Sequence, residues 1–290
     1  MPKHSPAPFH RKKSARVALA AGAVTALGAG LLFTQAFASG DPTSGVPATS
    51  AAKFTLPKPN QPFDYQIGGA YTPPKNVAVV SRDRAAKPAR GLYNICYVNA
   101  FQTQPDALGW WQKNHPDLLL RDGAKKPVRD EDWGEVLLDT STANKRTRLA
   151  KIVGGWIDGC AKRGFQAVEP DNLDSFERSG KRLTAQHNAA FAKLLAQRAH
   201  AAGLAIGQKN TTDLLPERKK IGFDFAVAEE CGQYKECGDY ATAYANRVYA
   251  IEYTNSGYDR ACKGWGGKLS IVQRDLDVSA PGGSYRHRAC

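Results

Sequence analysis

Two segments of the sequence place carboxylates at the ends of apolar runs that have the composition of β-strands. In one, VEPDNLD, Glu169 and Asp171 are two residues apart, and in the other, VAEEC, Glu229 and Glu230 are adjacent. Successive side chains of a strand point to opposite faces, so the first pair shares a face and only one member of the second pair can join it. A carboxylate from each of two strand ends is the pair that glycoside hydrolysis uses, one as nucleophile or water activator and one as proton donor.

A lysine at the end of a third apolar run is placed to act on this pair. Lys209 comes directly after the run LAIGQ. A cation beside a carboxylate favours the charged form, so Lys209 would keep one carboxylate ionised. A buried structural ion pair of Lys209 with Asp171 or Glu229 is the alternative, and the sequence leaves both open.

Polar residues follow all eight candidate strands of the sequence. If these strands form a parallel barrel, their carboxyl ends converge on one face, where the active sites of such barrels are built. A single Asp or Asn after a strand is often a helix cap, but the whole set favours a shared site. It comprises Gln66, Arg82, Asp83, Asn99, Glu169, Asp171, Asn172, Lys209, Asn210, Glu229, Glu230, Glu252, Arg274 and Asp275.

Aromatic residues are frequent in or beside the same loops. Sugar rings present apolar C–H faces that stack on aromatic rings, so this frequency suits a saccharide cleft. The candidates are Tyr71, Tyr93, Tyr97, Trp110, Trp111, Trp133, Tyr234, Tyr253 and Tyr258.

The elements that must position these residues alternate in type along the chain. Apolar residues at helical spacing precede Gly164, and a second helical pattern runs from the candidate cap Thr184 to Gly203. A strand-like run follows each helix, which is the rhythm of a parallel sheet, so we predict a single (β/α)8 TIM barrel, with a doubly wound open sheet as the alternative. Strands are predicted at residues 65–67, 77–80, 92–98, 165–168, 204–207, 223–228, 248–251 and 269–272, and the apolar residues 136–138 are assigned to an excursion after the third strand.

The N-terminus has the pattern of an export signal. Five basic residues flank the start of an apolar run, residues 17–33, and Ala36-Phe-Ala38 fits the small-x-small cleavage rule. A membrane anchor is the alternative, but the run is glycine-rich and the cleavage site follows it directly. We predict a secretory signal peptide over residues 1–38, a flexible linker over 39–62 and a catalytic domain over 63–290. The protein is therefore expected to be secreted or cell-wall associated, without a stable membrane anchor.

Composition and charge exclude several classes of protein. Hydrophobic residues make up 42% and charged residues 23% of the chain, which excludes an intrinsically disordered protein. Removing residues 1–38 takes away five basic residues and no acids, so the formal net charge falls from +13 to +8. The remaining basic residues are dispersed, so we do not expect a nucleic-acid partner.

The six cysteines are an even number in a chain that carries an export signal, which predicts disulfide bonds. Cys231 and Cys237 can close a short loop, and we predict that they pair. Cys262 with Cys290 would fix the C-terminus and would leave Cys96 with Cys160, although six cysteines allow 15 pairings. No cysteine–histidine spacing indicates zinc, and no metal or cofactor is expected.

Several segments, in this order along the chain, resemble glycoside hydrolase family 114, the endo-α-1,4-polygalactosaminidase family. They are YQIGGAY (65–71), CYVN (96–99), EPDNLD (169–174), GQKN (207–210), EEC (229–231) with Cys237, and IEY (251–253). The resemblance extends from about Phe63 to the C-terminus. It implies a (β/α)8 barrel that hydrolyses α-1,4 linkages in galactosamine-containing polysaccharide, with retention of configuration and without a metal.

Carried over residue by residue, the resemblance places the family's Asp after the fourth strand on Asp171 and its Glu after the sixth strand on Glu229. Asp171-Asn172 also resembles the Asp-Asn pair at the fourth strand of some α-galactosidase barrels, and this analogy implies that Asp171 is the nucleophile and Glu229 the acid/base. Glu230 stands where Gln is common in the family, so the choice between Glu229 and Glu230 stays open. The third strand ends in YVN where many relatives have a small Ser-Gly end, so the cleft is expected to differ there. We expect substrate binding by Gln66, Tyr71, Asn99, Glu169, Asn172, Asp174, Lys209, Asn210, Glu230, Glu252 and Tyr253.

The leading expectation is therefore a secreted, monomeric glycoside hydrolase whose partner is a polymer of galactosamine or N-acetylgalactosamine. One alternative is a catalytically silent carbohydrate-binding barrel at the cell wall, although binding alone needs no convergent acids. Another is a basic protein for anionic polymers, which predicts salt-sensitive retention on DNA or teichoic-acid-like chains.

Overall fold

Eight parallel strands follow one another around a barrel in the order of the chain, in a computed structural model that describes residues 53–290. The predicted signal peptide and residues 39–52 of the predicted linker lie outside the described residues. Each predicted strand is present, with its end shifted by a few residues. The strands are β1 (Phe63–Gln66), β2 (Val79–Asp83), β3 (Tyr93–Asn99), β4 (Ala167–Asp171), β5 (Ala205–Lys209), β6 (Phe225–Glu229), β7 (Val248–Glu252) and β8 (Ser270–Arg274).

The barrel is nearly closed, and a short ninth strand lies at the seam. β9 (His287–Ala289) pairs antiparallel with β8, and the His287 ring nitrogen Nε2 lies 3.2 Å from the carbonyl oxygen of Phe63 in β1. The parallel (β/α)8 prediction is confirmed, while β9 was not predicted from the sequence.

Helices cover the barrel unevenly. The segments 67–78 and 84–92, which join the first three strands, contain no helix. The helices are α1 (Leu108–Asn114), α2 (Ala143–Arg163), α3 (Ala185–Ala201), α4 (Arg218–Ile221), α5 (Cys231–Tyr234), α6 (Cys237–Tyr244) and α7 (Asn255–Trp265). Among the described residues, none of these helices is long and apolar enough to cross a membrane.

The two long helices end at or near the predicted glycines, and α3 begins at the predicted cap. The Thr184 side chain accepts a hydrogen bond from the backbone N–H of His187 at the start of α3, and Gly164 ends α2 in the left-handed conformation, which glycine adopts without steric cost. The apolar face of α2 is buried against β3 and α3. Each fully buried Leu or Ile, such as Leu149 and Ile157, contributes roughly 1.5–3 kcal/mol relative to leaving it exposed.

The barrel interior is apolar near the N-terminal ends of the strands and polar near their carboxyl ends. Phe63, Ile95, Phe225, Val227 and Tyr249 belong to one buried cluster inside the strands. Because side chains alternate along a strand, the residues two or four positions further on also face the barrel axis. This alternation brings the polar residues at the strand ends together at one mouth of the barrel.

The N-terminal end of the barrel is covered by residues 53–62. Phe54 stacks on His200 with ring centroids 4.5 Å apart. The Tyr93 hydroxyl donates a hydrogen bond to the backbone carbonyl of Thr55 at 2.7 Å. The Tyr249 hydroxyl donates one to the backbone carbonyl of Lys58 at 2.8 Å. Residues 53–62, the last ten of the segment predicted as a linker, therefore contact the barrel. The reason is that two tyrosine hydroxyls at the barrel's end find backbone acceptors in this segment.

The described chain contains three disulfide bonds. Cys96–Cys160 joins β3 to α2. Cys231–Cys237 joins α5 to the start of α6, and Cys262–Cys290 joins α7 to the C-terminal residue. Three separate parts of the fold are thus cross-linked, one of them directly after the end of β6.

The segment between β3 and α2 forms the excursion that the sequence predicted around residues 136–138. It is held by isolated antiparallel bridges, among them Gln102 with Leu137 and Arg129 with Val136. This excursion lies beyond the carboxyl end of β3 and so contributes to the wall of the polar mouth.

Candidate active site

The ammonium group of Lys209 lies at the centre of the polar mouth and contacts three carboxylates. Its Nζ atom is 3.0 Å from Oδ1 of Asp171, 3.2 Å from Oε2 of Glu229 and 3.1 Å from Oε1 of Glu169. These residues come from β4, β5 and β6, whose side chains face the axis at these positions. The sequence-predicted residues Asp171, Glu229, Glu169 and Lys209 are therefore brought together.

The three carboxylates differ in their access to solvent. The side chains of Asp171 and Glu229 are 16% and 22% exposed, whereas that of Glu169 is 0% exposed. Since both Asp171 Oδ1 and Glu229 Oε2 contact the same nitrogen, they are at most about 6 Å apart, the sum of their two distances to it. Asp171 and Glu229 are thus the pair that a ligand in the mouth can reach.

Each exposed carboxylate also accepts a hydrogen bond from a tyrosine. The Tyr97 hydroxyl donates to Oδ2 of Asp171 at 2.8 Å, and the Tyr253 hydroxyl donates to Oε1 of Glu229. Burial, together with the neighbouring carboxylates, raises the pKa of both tyrosines well above the ordinary value. Both hydroxyls consequently keep their protons.

Asn210 holds Glu229 through both ends of its side-chain amide. Its Nδ2 donates to Oε2 of Glu229 at 3.0 Å, and its Oδ1 accepts from the Glu229 backbone N–H at 2.8 Å. Asn210 has a φ of 49° and Asn172 has a φ of 66°. Asn tolerates this left-handed region better than most residues, so it suits a sharp turn at a strand end.

Glu230 lies just beyond the strand, outside this set of contacts with Lys209 and Asn210. It has a φ of 57° and precedes α5, and its backbone carbonyl accepts from the N–H of Tyr234. The geometry therefore distinguishes the two adjacent glutamates, since Glu229 faces the barrel axis and Glu230 begins the next turn.

Glu169 lies beneath the exposed pair and is fully enclosed. It accepts from the Tyr65 hydroxyl at 2.7 Å and from the Ser81 hydroxyl at 2.7 Å, in addition to its contact with Lys209. Burial raises its pKa above the ordinary value. Burial alone would lower the pKa of Lys209, but Asp171, Glu229 and Glu169 raise it well above its ordinary value, so Lys209 is a cation here.

Several predicted substrate-binding residues have other partners. Gln66 is buried and bonded to Asp64 and Arg82, and the Tyr71 hydroxyl donates to Asp64 at 2.8 Å. Asp174 forms an ion pair with Arg178. These residues form networks beside the Lys209 cluster and are not part of it.

Glu252 is a structural carboxylate in this fold. It is 0% exposed and accepts from the backbone N–H groups of Gly232 at 2.6 Å and Gln233 at 3.3 Å, so it stabilises the first turn of α5. The predicted role in substrate binding does not fit this position, because Glu252 points away from the axis that Ile251 and Tyr253 face.

Asn99 and Asn172 connect the cluster to a residue that the sequence did not single out, Glu135. The Asn172 amide donates to Oδ1 of Asn99 at 2.9 Å, and the Asn99 amide donates to Oε2 of Glu135 at 2.9 Å. Glu135 lies in the excursion and not at a strand end, so neither alternation nor strand position could find it. Tyr65, by contrast, is two residues inside β1, and alternation places it on the axis.

Among residues 53–290, one group of side chains has the spacing of a metal site. It consists of Cys231, Cys237 and Glu252. The two cysteines form a disulfide bond, so their sulfurs are not the thiolates that bind metals.

Comparison with known proteins agrees with this architecture. The sequence profile of glycoside-hydrolase family GH114 matches residues 43–290. No curated protein matches the chain significantly. Among solved structures, Aspergillus fumigatus Ega3 in complex with galactosamine is 24% identical, with a TM-score of 0.68, over 84% of this chain and 100% of that chain. The glycoside hydrolase domain of PelA from Pseudomonas aeruginosa is 17% identical, with a TM-score of 0.54, over 78% of this chain and 99% of that chain.

At these identities the two solved structures support the fold, while the profile match covers most of the chain and all of the strands that carry the site. The chain belongs to glycoside hydrolase family 114 and is a glycoside hydrolase.

Proposed function

We propose that this protein is a secreted, retaining hydrolase of α-1,4 linkages in galactosamine-containing polysaccharide. Asp171 is the nucleophile and Glu229 the acid/base in this proposal. Residues 1–38 are the signal peptide that directs export, and residues 63–290 form the catalytic domain. The single observation that carries the proposal is that Lys209 contacts both Asp171 and Glu229, the two accessible carboxylates of the mouth.

The spacing of this pair supports retention. Retaining glycosidases hold their two carboxyl groups about 5–5.5 Å apart, whereas inverting enzymes leave about 6.5–9.5 Å for a water molecule between carboxylate and sugar. The Asp171 and Glu229 oxygens that share Lys209 are at most about 6 Å apart. Because this distance is shorter than the inverting range, it favours direct attack by a carboxylate over attack by a water molecule held between carboxylate and sugar.

In the first half of the reaction, an Asp171 oxygen attacks the anomeric carbon. The bond from that carbon to the leaving oxygen breaks, and Glu229 gives its proton to this oxygen. Asp171 is prepared for attack because Lys209 and the Tyr97 hydroxyl stabilise its negative charge. The product of this half is a covalent glycosyl–Asp171 ester.

In the second half, Glu229 takes a proton from water, and the resulting hydroxide displaces Asp171 from the anomeric carbon. Two inversions at one carbon restore the original configuration. Asp171 leaves as a carboxylate and again pairs with Lys209.

The partners of Glu229 suit a group that gains and loses a proton. Lys209 and Asn210 approach Oε2 and can only donate with their nitrogens, whereas Tyr253 at Oε1 has a hydroxyl that can donate or accept. A proton on Oε1 is therefore accommodated if the Tyr253 hydroxyl turns from donor to acceptor. This places the transferable proton on the oxygen opposite Lys209.

The substrate class is supported by family membership and by the charge of the mouth. The formal net charge of the chain without residues 1–38 is +8, from +13 less the five basic residues of that segment, which by itself disfavours a cationic polymer. Locally, however, three carboxylates surround the ammonium group of Lys209. An excess of negative charge in a partly enclosed cleft attracts amino sugars despite the basic outer surface.

The test is release of reducing ends from an α-1,4-galactosamine polymer by the protein without residues 1–38. Asp171→Asn and Glu229→Gln should each lower turnover by roughly 10²–10⁴-fold or more and leave the fold intact. Nuclear magnetic resonance of the first product anomer should show retention. Binding of the polymer without any release of reducing ends would instead indicate a silent carbohydrate-binding barrel. Loss of activity in Glu230→Gln but not in Glu229→Gln would reverse the assignment within that pair.

A further inference from the structure

A rigid hairpin carries a carboxylate into the wall of the mouth. Within it, the backbone N–H of Asp130 donates to the carbonyl of Glu135 at 2.8 Å, and the N–H of Gly134 donates to the carbonyl of Asp130 at 2.9 Å. The Asp130 side chain accepts from the N–H groups of Asp132 and Trp133 and forms an ion pair with Arg178 at 2.8 Å. The position of Glu135 is therefore fixed by the turn that precedes it.

Glu135 is tethered to the end of β3, next to the proposed nucleophile. Its Oε2 accepts from the Asn99 amide at 2.9 Å, and Asn99 is the register partner of Asp171 in the adjoining strand β4. Burial, together with the charges of Asp171 and Asp130, raises the pKa of Glu135 to about 7, although Asn99 and Arg178 act in the opposite direction. Glu135 is thus close enough to Asp171 for the two to affect each other's charge.

Glu135 has no cation of its own among residues 53–290. Asn99 is the single hydrogen-bond donor to its side-chain carboxylate there, and no Lys, Arg or His of these residues forms an ion pair with it. The nearby Arg178 is already paired with Asp130 and Asp174. A half-buried carboxylate without a counter-ion is costly to keep ionised, and a cationic ligand removes that cost.

An aromatic ring accompanies this carboxylate on the same hairpin. Trp133 is 44% exposed, which makes it one of three large hydrophobic side chains that the described residues leave exposed. An aromatic face and a carboxylate two residues apart suit a sugar ring that carries an ammonium group. A neutral N-acetyl group at the same place would leave the carboxylate unpaired.

We propose that Glu135 is a specificity-determining residue that binds the free ammonium group of an amino-sugar unit and selects it over the N-acetylated unit. The inference rests on the proposed function and names the form of the substrate that the same site accepts. It also assigns a role to a residue outside the strand ends. The neighbouring Asp171 and Glu229 are reserved for the reaction itself.

The experiment compares two α-1,4-linked galactosamine oligosaccharides of equal length, one with free amines and one fully N-acetylated. Glu135→Gln keeps an oxygen for the Asn99 hydrogen bond and removes only the charge. We expect the wild type to prefer the free amine, and Glu135→Gln to lose roughly 10- to 100-fold in kcat/KM on that substrate, mainly through KM, as for loss of a charge-assisted hydrogen bond. Its kcat/KM on the N-acetylated substrate should fall by much less, because any effect on the neighbouring Asp171 is common to both substrates.

Glu131→Gln is the matched control, because it removes the same charge from an exposed position on the same hairpin. An equal loss in Glu131→Gln would overturn the proposal, since the effect would then come from the general field of the hairpin. Equal losses on both substrates in Glu135→Gln, or a wild type that prefers the N-acetylated oligosaccharide, would also overturn it. If the wild type cleaves neither oligosaccharide, the proposed function itself fails.

A second measurement needs no variant. Free galactosamine, N-acetylgalactosamine and galactose are compared as inhibitors of the wild type. The proposal predicts the lowest inhibition constant for galactosamine. Equal inhibition by galactosamine and galactose would contradict a role for the ammonium group.

Discussion

The ammonium nitrogen of Lys209 lies 3.0 Å from Oδ1 of Asp171, and the two side chains sit on either side of the boundary between interior and cleft. Lys209 is 1% exposed and Asp171 is 16% exposed. The cation is thus held by the barrel while the carboxylate faces the ligand. This arrangement gives Lys209 a structural and an electrostatic role at once, and the two roles can be separated by experiment.

Replacement of Lys209 by Met should move the acidic limb of the pH–rate profile to higher pH and lower the rate. Asp171 then loses the cation that stabilises its negative charge, which is the charge that the attack requires. The measurement is kcat/KM against pH for both enzymes. An unmoved acidic limb would mean that Lys209 serves binding or structure alone.

The same substitution should also destabilise the fold, because it leaves buried carboxylates without their counter-ion. Removing one partner of a buried ion pair costs about 3–5 kcal/mol. The double variant Lys209→Met/Glu169→Gln removes the carboxylate that is 0% exposed and should regain part of this loss. Urea unfolding of the two variants compares their free energies of unfolding, and identical values would contradict the interpretation.

Replacement of Tyr253 by Phe should move the alkaline limb of the profile to higher pH. The Tyr253 hydroxyl donates to Glu229 and so favours the charged carboxylate. Without that donor the charged form of Glu229 loses a hydrogen bond that its protonated form does not need. Tyr97→Phe is the matched variant on Asp171 and should move the acidic limb in the same direction. Interchanged effects of the two variants would interchange the proposed roles of Asp171 and Glu229.

The strands and the central carboxylates were predictable because one periodicity governs both. Strands that are buried on both faces are short apolar runs, and alternation then assigns the polar residues at their ends to the axis or to the outside. Applied consistently, alternation places Tyr65, Glu169 and Tyr253 on the axis. It also places Gln66 and Glu252 on the side that faces away from the axis. The prediction of one shared site included both residues because it did not apply alternation to them.

The remaining features depend on contacts between distant parts of the chain. β9 has three residues with no apolar pattern, and it forms where the C-terminal segment, joined to α7 by Cys262–Cys290, reaches the seam of the barrel. Glu135 enters the wall through a hairpin whose shape is set by Asp130 and Arg178. Neither β9 nor Glu135 has a local sequence signal that distinguishes it from an ordinary loop.

The disulfide after β6 should matter more for activity than for stability. In the chain-entropy relation, loss of the short Cys231–Cys237 loop costs about 2 kcal/mol, and loss of the longer Cys262–Cys290 loop costs about 3–4 kcal/mol. The shorter bridge, however, begins two residues after Glu229, whereas the longer one fixes the C-terminus. We therefore expect Cys231→Ala/Cys237→Ala to lower kcat/KM more than Cys262→Ala/Cys290→Ala does, and to lower the melting temperature less. The reverse order in either measurement would contradict this assignment.

The stability of the fold should depend on pH through the buried carboxyl of Glu252. Burial raises the pKa of this carboxyl from 4.5 to about 7, although the N–H groups of Gly232 and Gln233 stabilise its charged form. At a pH between these two pKa values, Glu252 is therefore protonated in the folded state and ionised in the unfolded chain. The resulting stability is fully present below about pH 4.5 and is lost as the pH rises through about 7. Its upper limit is about 3 kcal/mol, at 1.36 kcal/mol for each pH unit between the two pKa values.

Glu252→Gln cannot release a proton, so it lacks this contribution while it keeps an oxygen for the Gly232 N–H. Compared with the variant, the wild type should lose free energy of unfolding between about pH 4.5 and about pH 8. Glu135, whose pKa is raised in the same direction, is present in both proteins, so its effect cancels in the comparison. Urea unfolding at both pH values gives the difference directly. A difference between wild type and variant that stays constant with pH would show that Glu252 is already ionised in the folded protein at low pH, with the two backbone N–H groups outweighing its burial.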